Sequence, residues 1–408
     1  MTRGLLCLLV ATAPALAADW TRFGGPAGDF TTTAVPPDTL TDKAVAWRVP
    51  IGLGESGVVG DGTRLFTTDG VRDKGDPTRG TERVIALDPK NGKQLWEHKY
   101  AVEKLPKGDT PVKGGKSGPQ ATPCVSGGRV IAIGYTGHVS ALDAATGKVL
   151  WEKELTTDFA AVSPEFGFAG SPVPLGELVL IPTGGKKGPA LVALDPATGK
   201  EKWRTGDDAA SCATPQVVKL CGTEQIVHLS RNKVSGYSPA DGRELWTYTL
   251  PMPGLTNVPS PLVLADDRVV ISGQGANGLK LLKVTKGGDQ FAVKEVWKAA
   301  PKFFYCTWVA AGDVLYGAWG DGFGAVSLKD GEVLWEDKKW KDANPVLAGG
   351  VPLLLSGKGR LARCQFADGG VKEGSGFDAT GRSWTPPTVV GDRVYLRDGK
   401  EVVAVNLR

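Results

Sequence analysis

The chain has 408 residues, with hydrophobic residues at 41 %, charged residues at 23 % and a net charge of +4, which excludes a disordered polymer and leaves enough apolar side chain for a large core. Its basic residues are scattered and nowhere denser than pairs such as Lys186-Lys187 and Lys338-Lys339, which excludes a nucleic-acid footprint. The 56 Gly and 28 Pro favour many tight turns and point to an all-β protein.

The first 17 residues read as a cleaved signal peptide: Arg3 gives the positive start, Leu5 to Val10 the apolar stretch, and Ala15-Leu16-Ala17 the small-residue cleavage site. The apolar stretch falls short of the roughly 20 residues of a membrane-spanning helix, so no integral membrane segment is expected in the mature chain. Cys7 lies inside that stretch rather than after it, which argues against a lipid-modified N-terminus. The expected compartment is periplasmic or secreted. Residues 18–42 read as an N-terminal extension and 43–408 as the folded domain.

From there a repeat dominates. KAVAWRVP at 43–50 resembles an outer strand with Trp47 in place but no hairpin before it. Full copies follow as ALDPKNGKQLW (86–96), ALDAATGKVLW (141–151), ALDPATGKEKW (193–203), GYSPADGRELW (236–246) and AVSLKDGEVLW (325–335). In each, Asp88, Asp143, Asp195, Ser238 or Ser327 ends an apolar strand; Gly92, Gly147, Gly199, Gly242 or Gly331 closes a turn; and Trp96, Trp151, Trp203, Trp246 or Trp335 follows four positions later. An Asp or Ser side chain that accepts from the next backbone N–H groups and a left-handed Gly together specify a β-hairpin. The Trp is expected to pack between units.

Ahead of each hairpin stands a small residue and Pro, as in Thr122-Pro123, Ser171-Pro172, Thr214-Pro215, Ser260-Pro261 and Thr385-Pro386, followed by two apolar segments around a Gly or Asp turn. Because Pro within a sheet belongs at an edge, these segments are expected to be innermost strands. The tryptophans from Trp96 to Trp246 stand 55, 52 and 43 residues apart, a propeller-scale period. Divergent copies lie at 257–299, ending at Trp297, and at 343–377, which lacks the Trp. The final EVVAVNLR stops where other copies turn into an outer strand, so residues 43–50 should supply it. The expectation is an eight-bladed β-propeller of four-stranded antiparallel blades.

The string at 141–151 resembles the pyrroloquinoline quinone (PQQ) repeat, found in quinoprotein dehydrogenases and in BamB, the scaffold lipoprotein of outer-membrane β-barrel assembly. DWTRFGGPAGDF at 19–30 resembles the opening of exported bacterial PQQ-like propellers, which usually carry Arg where Gly24 stands. The resemblance spans roughly 43–408 and implies the fold far more strongly than an activity. The dehydrogenases it implies hold PQQ over a Trp floor beside Ca²⁺, often under a disulfide of adjacent cysteines. Here no two cysteines are adjacent, and no Asp or Asn matches a Ca²⁺ ligand, so no cofactor is expected and PQQ with Ca²⁺ is the alternative.

Other chemistry is sparse. His98, His138 and His228 follow no metal-ligand spacing, so no metal site is expected and each should be a surface or hairpin residue. The GGKS within 107–119 lacks the first spaced Gly of a phosphate loop. Cys212 and Cys221 on one extended strand would lie roughly 30 Å apart, against the ~7 Å a disulfide allows. The loops before the innermost strands should gather Glu55, Gln120, Glu165, Asn257, Tyr305, Asn344, Arg382 and Trp384 at one channel mouth, either to bind a small polar ligand or peptide or to satisfy loop backbone. The functional expectation is a non-catalytic scaffold with a protein partner or small polar ligand. The alternatives are a quinoprotein dehydrogenase, or a carbohydrate or metabolite sensor with a pocket around Trp384, Tyr305 and Trp308.

Overall fold

The Asp/Ser–Gly–Trp spacing builds the architecture directly. A computed structural model describes residues 20–76, 79–103, 118–164, 166–185, 188–250, 257–273, 277–300 and 306–408. The signal-peptide reading falls outside them. Strands fold into eight sheets in a ring, each built on four antiparallel strands running from the channel outwards, with a fifth, parallel strand added to one of them. The blades span 59–102, 124–154, 173–205, 216–249, 262–299, 308–337 and 344–378, and the eighth joins Thr388–Val390, Arg393–Arg397 and Glu401–Asn406 to Val45–Pro50 from the other end of the chain. In that eighth blade Trp47 pairs with Ala404, so the terminal segments close the ring as the sequence pattern requires.

Each hairpin also receives the blade before it. The Trp96 indole N–H donates to the Ala144 carbonyl of blade 2 at 3.1 Å, and the same bond runs from Trp47 to Pro89, Trp151 to Pro196, Trp203 to Pro239 and Trp297 to Leu328. In every case the acceptor immediately follows the Asp or Ser that opens the turn. The turn glycine lies under the ring: a Cβ on Gly147 would stand 2.6 Å from Trp96, and one on Gly92, Gly199 or Gly242 2.7 Å from the preceding blade's Trp. These glycines therefore answer two demands at once, a positive φ (73° at Gly147) and a flat seat for an indole. Blades 5 and 7 have longer outer hairpins without this turn. Trp246, which precedes blade 5, accordingly bonds to Gln225 within its own blade at 2.7 Å.

A β-bulge precedes the Trp in the outer strand of the blades that carry one. Trp96 faces Ala86 while Gln94 faces Leu87, which leaves Leu95 as the extra residue. The same shift isolates Leu150, Val296 and Leu334. A bulge twists an edge strand away from regular pairing, and here it turns the Trp inward and its neighbour out to solvent.

Residues 20–32 of the stretch read as an extension lie inside the ring, whereas Leu40 donates its N–H to Ser375 Oγ on the outer strand of blade 7 at 2.8 Å. Thr31–Thr32 pairs in parallel with the innermost strand of blade 7, and the carbonyls of Trp20 and Thr21 accept from Gly60 of blade 1 and Val125 of blade 2 at 2.9 and 2.8 Å. Trp20 and Phe30 are buried among the innermost strands of blades 1, 2, 7 and 8, with ring centroids 6.4 Å apart. The hairpin end of the channel is filled by the chain's own N-terminal residues.

Gly147 tests the indole seat against backbone strain alone. Gly176 also has a positive φ (55°), but an added Cβ there meets nothing within 4 Å. Gly176→Ala should cost about 1 kcal/mol for the left-handed backbone, and Gly147→Ala roughly 1–3 kcal/mol more for overpacking Trp96. Urea unfolding of both variants measures the difference; equal losses would mean that the ring does not bear on the glycine.

Candidate functional site: the channel mouth

The Ser or Thr before each Pro sits where an outer strand crosses to the next innermost strand. At Thr122, Ser171 and Thr214 the backbone N–H points at the next blade and the hydroxyl accepts from the blade before. Gly57 N–H donates to Thr122 Oγ1 at 2.8 Å, Thr122 N–H to Ser171 Oγ at 3.0 Å, Ser171 N–H to Thr214 Oγ1 at 3.1 Å and Thr214 N–H to Ser260 Oγ at 2.9 Å. Asn344 takes the equivalent place in blade 7: its Oδ1 accepts from Thr307 N–H at 2.9 Å, and its Nδ2 donates to the Trp384 carbonyl at 3.1 Å. Thr385 Oγ1 donates to the Glu55 carbonyl at 3.1 Å, joining blade 8 to blade 1. These bonds form a polar belt around the channel, above the apolar fill. The Ser or Thr that precedes Pro in five of the blades is its sequence signal, which pattern alone marks only as a sign of an edge strand.

Of the predicted mouth residues, the structure groups Glu55, Asn344, Arg382 and Trp384 at the meeting of blades 7, 8 and 1. Thr385 Oγ1 donates to Glu55 Oε2 at 3.2 Å, and the Arg382 guanidinium lies over the Trp384 ring at 4.6 Å. Gln120 and Asn257 stand apart and serve loop backbone: Gln120 Nε2 donates to the Phe166 carbonyl at 2.9 Å and Asn257 Nδ2 to that of Ser230 at 2.8 Å. Glu165 and Tyr305 lie outside the described residues. Trp308, the third wall of the imagined sensor pocket, instead packs into the core between blades 5 and 6 beside Trp297.

Arg397, which sequence reading missed, is the most deeply committed charge here. It donates to the carbonyl of Ser56 at 2.8 Å, to Thr67 Oγ1 at 3.0 Å and to the Thr68 carbonyl at 2.5 Å, and burial pulls its guanidinium down to about 10. Burial raises the Glu55 carboxyl, and the nearby Arg397 charge opposes that rise. Asp69 is fully buried, is gripped by Arg83 through both oxygens, and accepts from Gly52 N–H at 2.6 Å. Asp398 accepts from the N–H groups of Gly381, Lys400 and Glu401 at 2.7–2.9 Å. Glu82, against blade 2, accepts from the Tyr100 hydroxyl at 2.8 Å and from Tyr135 N–H, and burial pushes it up to about 7.

The three histidines part company. His228 is buried beside Phe168, Pro182 and Ser211, and burial lowers its pKa to about 4, so it is neutral. His98 and His138 meet across the boundary of blades 1 and 2 at one oxygen of Glu152. No disulfide joins the five described cysteines.

A family model described as outer membrane protein assembly factor BamB matches residues 80–337. The chain belongs to this family. The BamB of Yersinia pestis is 24 % identical over 287 residues, covering 68 % of this chain and 71 % of that protein. A polyvinylalcohol dehydrogenase from a Pseudomonas species is 24 % identical over 397 residues, covering 78 % of this chain and 57 % of its own. Among solved structures, quinohemoprotein alcohol dehydrogenase ADHIIG from Pseudomonas putida HK5 aligns with a TM-score of 0.62 at 14 % identity, over 96 % of this chain and 80 % of that one, a likeness of fold.

Two substitutions probe the site. Ser171→Ala removes the acceptor of a buried N–H and should cost about 1–3 kcal/mol in urea unfolding, with Ser171→Thr close to wild type. Full recovery in the alanine variant would dismiss the belt as a stabilising element. The second concerns Glu82, whose carboxyl protonates near pH 7 when folded against 4.5 for an ordinary Glu. Its contribution is fully present below pH 4.5 and is lost as pH rises through 7. Glu82→Gln should therefore gain on wild type between pH 5 and 8 by on the order of 1–3 kcal/mol. A pH-independent difference between the two proteins would contradict the assigned shift.

Proposed function

We propose that this protein is an exported, non-catalytic propeller that works by holding a protein partner on the outer rim of its ring. The observation that carries this reading is where reactive and sticky groups lie. Among the described residues of the mouth, Glu55, Asp69, Asp398 and Arg397 are already bound to neighbouring side chains or backbone. PQQ needs cationic and donor groups for its carboxylates, and Ca²⁺ beside it needs unspent carboxylate oxygens. The described residues do not fit that pair.

The rim differs. Leu95, Val149 and Leu150 on neighbouring blades 1 and 2 are 47, 36 and 40 % exposed, and Val296, Val333 and Leu334 on blades 5 and 6 are 47, 41 and 48 % exposed. Aliphatic side chains repeated at one level around a ring offer a partner dry contact without disturbing the core. The bulges limit docking by strand addition at that level, so side-chain contact is the favoured mode. Membership in a family described as an outer membrane assembly factor supports a protein partner, and the N-terminal pattern supports export.

A photo-crosslinking residue placed at Leu95, Leu150 or Leu334 in the exporting cell should trap one partner, whereas one at Arg382 should not. Leu95→Asp with Leu150→Asp should lower capture by roughly tenfold or more at an unchanged melting temperature. Capture only from the mouth position would overturn the rim, and a melting temperature raised by saturating PQQ with Ca²⁺ would reinstate the dehydrogenase reading.

A further inference from the structure

Between blades 1 and 2, on the flank of the ring, two strands bring together groups that lie far apart in sequence. His98 is on the outer strand of blade 1, two residues beyond Trp96. His138 opens the third strand of blade 2, and its register partner across the sheet is Glu154, with Glu152 two residues away on the same outer strand. His98 Nε2 lies 2.9 Å from Glu152 Oε1, and His138 Nε2 lies 3.2 Å from that same oxygen. The other ring nitrogen of His138 faces Glu154 Oε1 at 2.5 Å. Tyr100 lies against the His138 ring with centroids 4.1 Å apart and the planes tilted by 32°.

Hydrogen-bond arithmetic leaves two ways to complete this cluster: a doubly protonated His138 that donates to both Glu154 and Glu152, or a neutral His138 with a cation between Nε2 and Glu152. If Nδ1 of a neutral His138 donates to Glu154, its Nε2 carries a lone pair, and Glu152 is an acceptor too. Two acceptors 3.2 Å apart repel unless a proton or a cation lies between them. A cation also suits the charge balance, because the carboxylates of Glu152 and Glu154 contact the imidazoles.

The geometry suits a metal. One ligand atom from each of His98, His138 and Glu152 falls within 4.8 Å of the others. Tetrahedral zinc, with bonds of about 2.0–2.2 Å, places its ligand atoms roughly 3.3–3.5 Å apart, so small side-chain adjustments suffice. A carboxylate on the far nitrogen of a ligating imidazole fixes the tautomer and strengthens the ligand, which is the relation of Glu154 to His138. Two imidazoles and one carboxylate favour zinc, copper or nickel over magnesium or calcium. The rings are held, with side chains 15 and 13 % exposed, while Glu152 at 39 % leaves a route from solvent.

We propose that His98, His138 and Glu152 bind one divalent transition-metal ion, zinc foremost, which clips blade 1 to blade 2, with Glu154 as the positioning residue. Water would complete the coordination. This proposal is independent of the rim reading, since neither Leu95 nor Leu150 is a ligand.

The test uses full-length untagged protein, stripped with chelator and titrated with Zn²⁺ by calorimetry and with Co²⁺ by visible absorption. The expected result is one saturable equivalent, a Co²⁺ spectrum of tetrahedral intensity and a raised melting temperature. His98→Ala and His138→Phe, the second keeping a ring against Tyr100, should each weaken Zn²⁺ binding by at least about tenfold, and Glu154→Gln by 10- to 100-fold. Absence of stoichiometric Zn²⁺ or Co²⁺ binding by folded wild-type protein would overturn the site without recourse to any variant. Equal affinity in folded His98→Ala and His138→Phe would overturn it as well.

Discussion

An indole resting on a glycine holds this ring together. Each blade is a twisted four-stranded sheet that cannot bury its own faces, and it becomes stable only against a neighbour. The Trp near the start of an outer strand solves this at five of the eight boundaries by covering the next hairpin and donating to a carbonyl fixed by that hairpin's own Asp or Ser. Turn chemistry and inter-blade packing are thus one constraint. The Asp side chain shapes the turn, the turn exposes its second carbonyl, and the left-handed glycine clears the surface on which the ring lies.

The hydroxyl belt works on the same boundaries from the other end. Near the hairpins blades are joined by large apolar contact; near the mouth they are joined by single hydrogen bonds from backbone N–H to Ser or Thr oxygen. Buried N–H groups left without an acceptor are costly, so the belt matters most where strands diverge and apolar packing thins. Between belt and indole, the channel is occupied by Trp20 and Phe30, which lends the centre of the ring the character of a core.

The fold was largely legible because its signals are local. Hairpin, bulge-side Trp and Pro-led inner strand all lie within one blade, and the closing strand could be inferred from what the last copy lacked. The mouth was legible only by position: loops before inner strands do converge, yet residue type alone did not separate Asn344, which links blades 6, 7 and 8, from Gln120, which satisfies one loop carbonyl. Arg397 escaped notice because it sits at the end of an ordinary apolar strand, where its burial follows from the packing of blade 8 on blade 1. The pairing of His98 with His138 escaped for a related reason, since motif spacing describes ligands within one element and these face each other across a blade boundary.

Val45–Pro50 and the stretch from Trp20 to Thr32 belong to one continuous piece of chain, and both are completed by residues from the far end. Arg48 pairs with Glu401 across 353 positions. Strands synthesised first therefore include some whose partners are synthesised last. Seven blades can form in order as the chain emerges, and Trp20 and Trp47 can settle early on blades 1 and 2, but Thr31–Thr32 must wait for blade 7 and Val45–Pro50 for the eighth. Ring closure is a timing problem as well as a packing one, and a chain of this design is most exposed to aggregation or capture in the interval before its ends meet.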